Sequence, residues 1–184
     1  VNDSEQGHAD ERFGYIAIES NATIQAVRSP STPSLNSISS TSNSITIDWS
    51  SVSWNGDVGN YEIFRSTSSG SNENDYTKID TVSSSNTSYT DNSLEYVTEY
   101  YYRVKASNSA GDSAISNELS IQTEVGPPAA PSLNSTSVNE NNDITILWAA
   151  GNWNGDVGSF NIYVSENSGT STSDYTLAQN VDSS

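Results

Sequence analysis

The residues best placed to do chemistry lie in a hexapeptide that the chain contains twice, Trp54-Asn55-Gly56-Asp57-Val58-Gly59 and Trp153-Asn154-Gly155-Asp156-Val157-Gly158. Oxygens from Asn and Asp at a tight turn are hard ligands, which makes Asp57 and Asp156 the calcium candidates. Calcium takes about six to eight oxygens, often from several carboxylates, and each loop offers one Asp. The indoles of Trp54 and Trp153, with Asn55, Asp57, Asn154 and Asp156 beside them, offer a second chemistry. They could form a ligand or partner surface at the end of a module, the rings stacking on sugars. Set against both is a structural reading: a turn that needs glycine at an unusual φ, with the Trp laid over the end of a β-sandwich.

The remaining reactive side chains give no catalytic set. His8 is the only histidine, cysteine is absent, and a nucleophile, base and orienter cannot be assembled from these. No Cys also means no disulfide scaffold and no thiolate-bound zinc. Carboxylate pairs such as Asp10 with Glu11, or Glu73 with Asp75, lie in hydrophilic stretches, with no apolar surroundings to raise a pKa for general acid work. Tyr100-Tyr101-Tyr102 suggests an aromatic platform, but strand alternation sends Tyr100 and Tyr102 inward and leaves only Tyr101 outside. Asn-x-Ser/Thr occurs at Asn2, Asn21, Asn86 and Asn134, as chance allows in a chain this rich in those residues. The chain is expected to have no catalytic site and no cofactor, calcium at the two loops excepted.

The elements that must hold the loops repeat with them. Trp49 and Trp148, Trp54 and Trp153, Tyr61 and Phe160, and Tyr76 and Tyr175 are each 99 residues apart. A period near one hundred with strand-like flanks marks tandem small β domains. Hydrophobic residues make up 33% of the 184, and Ser, Thr and Asn fill the gap, as suits thin sandwiches with polar outer faces. The aromatic and β-branched residues gather in alternating runs, which argues against disorder. A net charge of −17 excludes nucleic acid and anionic membrane surfaces as partners, since both need a basic footprint. No apolar run is long enough to insert in a membrane. The chain starts at Val1 without any Met and reads as a processed piece of something longer.

From Leu35 the chain predicts seven short strands. The first is Leu35–Ile38. The second faces Ile45, Ile47 and Trp49 inward, and the third Tyr61 and Ile63. The fourth includes Tyr76 and Ile79, and the fifth lies near Tyr89. The sixth turns Tyr100, Tyr102, Val104 and Ala106 inward, and the last holds Ile115, Leu119 and Ile121. Gly111, in the turn after Asn108, is free to take a positive φ. A Trp closing the second strand, a Tyr-x-Ile third strand, and Leu94 followed by Thr98-Glu99-Tyr100-Tyr101-Tyr102-Arg103-Val104-Lys105-Ala106, Asn108 and Gly111 together resemble a fibronectin type III domain. The resemblance spans Pro33 to Glu124. It implies a two-sheet Greek-key sandwich of the immunoglobulin-like kind, with the Tyr100 hydroxyl bonded back to backbone. The Arg-Gly-Asp tripeptide of one family member is missing, since Asn55 precedes Gly56-Asp57.

The expected organisation is all-β and tandem. Residues 1–28 would be the last hairpin of a preceding β domain or a donor-strand segment, with Phe13–Ile18 and Ile24–Val27 as strands. Glu11 to Glu19 resembles the tail of β-sandwich modules in bacterial exoproteins. Residues 29–33 form a linker, 33–124 a complete module, 125–131 a Pro-rich linker and 131–184 an incomplete second module. Pro33-Ser34-Leu35 returns as Pro131-Ser132-Leu133 at an offset of 98, which places one extra residue in the first turn of the second copy. With later strands missing, Ile144, Ile146, Trp148, Phe160 and Ile162 would face water. Phe13, Tyr15, Ile16 and Ile18 are the assembly-strand candidates, able to complete a neighbour's open module and build a filament. The function expected is structural: a non-catalytic spacer or adhesion module of a secreted or cell-surface bacterial protein, its partners other protein domains, copies of itself or polysaccharide. The rival is an accessory, carbohydrate-binding module of a polysaccharide-degrading enzyme whose catalytic domain lies elsewhere.

Overall fold

The computed structural model describes residues 26–167 and 170–182. Phe13, Tyr15, Ile16, Ile18, Ile24 and His8 lie outside the described residues. Ala26 and Val27, expected in a strand, run as irregular backbone into the Ser29–Pro33 linker.

Eight strands follow the linker: β1 (Leu35–Ser40), β2 (Ser44–Trp49), β3 (Asn60–Ser66), β4 (Thr77–Ser83), β5 (Ser88–Asn92), β6 (Glu99–Asn108), β7 (Gly111–Asp112) and β8 (Leu119–Gln122). All pairings are antiparallel. One sheet has the order β1-β2-β5; the other runs β4-β3-β6, and both β7 and β8 pair with β6. Alternation decides which side chains meet between the sheets. Ile45, Ile47 and Trp49 of β2 face Tyr61 and Ile63 of β3 and Tyr100, Tyr102, Val104 and Ala106 of β6, with Leu35 and Leu94 completing the core. Two sheets back to back are the sandwich that the aromatic order predicts.

Two local expectations are corrected. The seventh strand is not continuous, because residues 113–118 leave the ladder between β7 and β8. Ser hydroxyls take over the pairing there: Ala106 N–H donates to Ser113 Oγ (3.0 Å) and Val104 N–H to Ser116 Oγ (2.9 Å). Ile115 therefore lies outside any strand. Tyr76 lies just before β4, at the end of a single 3-10 turn over Glu73–Asp75, rather than within the strand. Gly111 does take the left-handed φ, +124°, that its tight turn requires.

Residues 132–182 repeat the first four strands as two hairpins. β9 (Ser132–Val138) pairs β10 (Ile144–Ala149), and β11 (Ser159–Val164) pairs β12 (Thr176–Asp182). The extra residue falls in the β9–β10 turn, where Asn139 N–H reaches Asp143 O across four residues; Thr41 N–H reaches Ser44 O across three. Ile144 is 65% exposed, as expected, but Ile146, Trp148, Phe160 and Ile162 are half-buried. The two hairpins lean together, with the Trp148 and Phe160 rings 5.8 Å apart edge to face, and shield part of the apolar face.

Candidate functional site

In both copies the hexapeptide makes the same turn. Asn55 and Gly56 have φ of +50° and +101°, and Asn154 and Gly155 have +52° and +101°. Asp57 N–H closes the turn on Trp54 O, and Asp156 N–H on Trp153 O, each at 3.3 Å. Two successive positive φ values with this bond are the pattern of a type I′ turn, which favours Asn-Gly because Asn tolerates the left-handed region and Gly has no Cβ to clash. The sequence pointed to glycine and missed that the asparagine is left-handed too.

The tryptophans are half-buried. Trp54 stands edge-on to Tyr61 at 5.2 Å, and Trp49 approaches the same ring at 5.3 Å. Tyr61 is fully buried under them, and its hydroxyl accepts the Val52 N–H at 3.2 Å. Trp153 and Trp148 bracket Phe160 in the second copy, at 5.2 and 5.8 Å. Each indole thus closes the end of its sandwich.

Asp57 is tied to the β6–β7 turn. Its Oδ2 accepts the Ser109 N–H at 3.2 Å, and hydrogen bonds from Ser109 hold its carboxyl below the ordinary carboxylate range. Asn108 Nδ2 reaches the carbonyls of Trp54 (3.0 Å) and Asp57 (3.2 Å). Asp156 Oδ1 accepts its neighbour Val157 N–H at 2.7 Å. No three Asp, Glu, His or Cys side chains gather into a metal-holding group among the described residues. Asn55 and Asn154 turn away from their carboxylates, toward the linker before their own module: Asn55 Nδ2 donates to Ser29 O at 2.7 Å and Asn154 Nδ2 to Pro127 O.

Sequence reasoning missed the polar groups inside and across the sandwich. Asp91 of β5, 6% exposed, accepts from Arg65 Nη1 and from the buried Tyr102 hydroxyl, each at 2.8 Å. Burial, then the Asp91 hydrogen bond and charge, push the Tyr102 hydroxyl far up, so it remains a donor. On the outer face of the β4-β3-β6 sheet, Lys105 Nζ meets Glu73 (2.8 Å), Asp112 (3.0 Å) and Glu62 (3.2 Å), while Lys78 meets Glu62 at 2.9 Å. Desolvation works against the Lys105 charge, but bonds from Glu73, Asp112 and Glu62 outweigh it and raise the ammonium pKa. Burial likewise pushes the Glu62 carboxyl up, and Lys78 and Lys105 more than reverse it. Nearby, Arg103 donates to Ser116 O and Gly70 O, each at 2.7 Å, and the Tyr76 hydroxyl donates to Glu118. Glu73, expected to be a solvated turn residue, is therefore a partner of a buried lysine. The legible signal was β6 itself: Arg103 and Lys105 alternate with the core residues, and Lys105 faces Glu62 across the strand pair.

The Tyr100 hydroxyl accepts the Glu95 N–H at 3.2 Å, the back-bond to backbone that the family resemblance implies. Among known proteins, human neogenin is 33% identical over 118 residues, covering 63% of this chain and 8% of neogenin; rat neogenin is 31% identical over the same shares. The chain thus spans under a tenth of the length of these curated relatives. Among solved structures, an Fn3-like protein from Clostridium thermocellum is 30% identical, covering 55% of this chain and 95% of that one with a TM-score of 0.39. A β-1,2-glucanase from Parabacteroides distasonis is 25% identical, covering 56% and 14%, with a TM-score of 0.45. The model of the fibronectin type III domain matches residues 28–122, more than half of the chain, and the chain belongs to that family.

Proposed function

We propose that the chain is a non-catalytic spacer of a secreted or cell-surface bacterial protein, separating and displaying the protein domains attached to it. One observation carries this reading: its cations are used to join strands. Four of the six basic residues, Arg65, Lys78, Arg103 and Lys105, form ion pairs with carboxylates, and these pairs link β3 to β5, β3 to β4, and β6 to β3, to β7, to the 3-10 turn and to the segment before β8. Groups held this way resist separation of strands and are not presented to a substrate. The partners that suit such a module are other protein domains, met at its two ends.

Single-molecule extension of the full chain tests the reading. A spacer should release the 34–123 sandwich in one cooperative step, lengthening the chain by about 300 Å at roughly 3.3–3.6 Å per residue. Gradual extension with no such step would overturn the proposal, as would turnover of a polysaccharide or peptide by the purified chain.

A further inference from the structure

The two hexapeptide loops hold something, and it is the same in both copies. In the first, Arg28 N–H donates to Asn55 O (3.2 Å), Asn55 Nδ2 to Ser29 O (2.7 Å), and Ser31 N–H to Ser53 O (2.9 Å). In the second, Gly126 N–H donates to Asn154 O (3.1 Å), Asn154 Nδ2 to Pro127 O, and Ala129 N–H to Asn152 O (2.8 Å). The linker residues correspond at an offset of 98 and the loop residues at 99, so each bond has its counterpart. The linkers themselves differ: Arg-Ser-Pro-Ser at 28–31 and Gly-Pro-Pro-Ala at 126–129. Apart from Ser53 N–H, which also donates to Ser31 Oγ at 2.9 Å, these bonds fall on linker backbone, which explains how one loop sequence serves two linker sequences.

The glycines mark a contact next to that grip. A Cβ placed on Gly56 would lie 3.7 Å from Val27 Cα, and one on Gly155 would lie 3.5 Å from Val125 Cγ1. Val27 and Val125 again correspond at an offset of 98. In the second copy the same Cβ would come within 2.1 Å of Val97 Cγ2, at the end of the first module. Gly155 therefore lies directly against the module that precedes it, and a larger residue there would have to displace the Val97 side chain.

We propose that each Trp-Asn-Gly-Asp-Val-Gly loop is the docking element for the linker and the end of the module before it, so that successive modules are joined in a set orientation. At the second loop the partner is the preceding module of the same chain, met at Val97 and at its outgoing backbone; at the first loop it is the linker, met at Val27 and its backbone. The left-handed Asn supplies both a carbonyl acceptor and an amide donor to that backbone; the Gly takes the positive φ and, in the second copy, leaves room for Val97; the Trp anchors the turn to the core. This rests on the spacer reading and deepens it, since a spacer with fixed joints sets direction as well as distance.

Amide hydrogen exchange on the full chain, read residue by residue by NMR, tests it. In the unsubstituted chain the Arg28, Ser31, Gly126 and Ala129 amides should exchange at least about tenfold more slowly than free peptide, as closed local structure does. Asn154→Asp keeps the shape and the tolerance for positive φ but replaces the donor with an acceptor. It should speed exchange at Gly126 and Ala129 by roughly five- to tenfold, the effect of losing one hydrogen bond, and leave Arg28 and Ser31 unchanged. Asn55→Asp should do the reverse. Asn154→Gly and Asn55→Gly, which suit the backbone conformation better still, should act the same way if an Asp variant fails to fold. The Val104 amide, inside the sandwich, reports that the module is intact. Linker amides at free-peptide rates beside a protected Val104 would overturn the docking role and leave the spacer reading standing. So would Asn variants that change nothing at the linkers. Failure of the spacer reading would show instead in the extension trace.

Discussion

Asp91 lies between Arg65 and Tyr102 with its side chain 9% exposed, and truncating it would leave a fully buried hydroxyl without an acceptor. Asp91→Ala should cost about 3–5 kcal/mol, the range for breaking a buried charged partnership, whereas Asp91→Asn, which keeps an acceptor, should cost about 1–2. Urea midpoints of the two variants check the ordering. Glu62 and Asp112 give a pH signature. Both have folded pKa values below their unfolded ones, Asp112 through Ser107 and then Lys105. Their stabilisation is complete above the unfolded carboxylate range, about pH 4–5, and is lost as pH falls through the lower folded values. Lys105, raised in the fold, keeps its contribution below about pH 10 and loses it only in stronger alkali. Stability measured from pH 7 to pH 2 should therefore fall below about pH 4, and Lys105→Met should flatten that limb at a cost of about 1–2 kcal/mol, since Glu73 and Asp112 are half-exposed and can rehydrate. Beyond the alternation that sets Lys105 on the outer face of β6, these partnerships were not legible in the residues alone, because Asp91 and Lys105 read as ordinary polar positions in alternating strands. Their partners come from strands distant in sequence.

The strands were the legible part of the molecule. Period-2 patterning identified Ile45, Ile47 and Trp49, then Tyr61 and Ile63, then Tyr100 to Ala106, and these are the core. Alternation failed where side-chain hydroxyls replace ladder bonds, at Ser113 and Ser116, and where a 3-10 turn over Glu73–Asp75 stands in for the start of a strand. Neither substitution leaves a hydrophobic period to read. Trp49 tests the element scale. It is 3% exposed and closes β2 against Tyr61. Trp49→Ala should cost about 3–5 kcal/mol through lost burial and the cavity left behind, and a thermal melt should show it. The element-scale counterpart in the loops is Gly155→Ala, which meets Val97 as well as an unfavourable φ, against Gly56→Ala, which meets only the unfavourable φ. The first should disturb the amide spectrum of the neighbouring module and the second should not.

At the scale of the whole molecule, the repeat predicted copies and the Pro-containing linkers predicted joints, but not what holds them. Linkers rich in Pro and Ser carry no signal of being held, because what holds them is the backbone of a loop some 25 residues further on. Only with both copies folded does the shared set of bonds become visible. The central claim is that these joints are fixed, so the chain spaces its neighbours in a set direction. The chain has no cysteine, so S85C and E140C would provide unique positions for a pair of spin labels, one at an exposed site in each repeat. Pulsed electron paramagnetic resonance then reads the distance between them directly. The account predicts one narrow distance distribution for this pair, broadened when Asn154→Asp is added. A broad distribution without that substitution, unchanged when it is introduced, would contradict it.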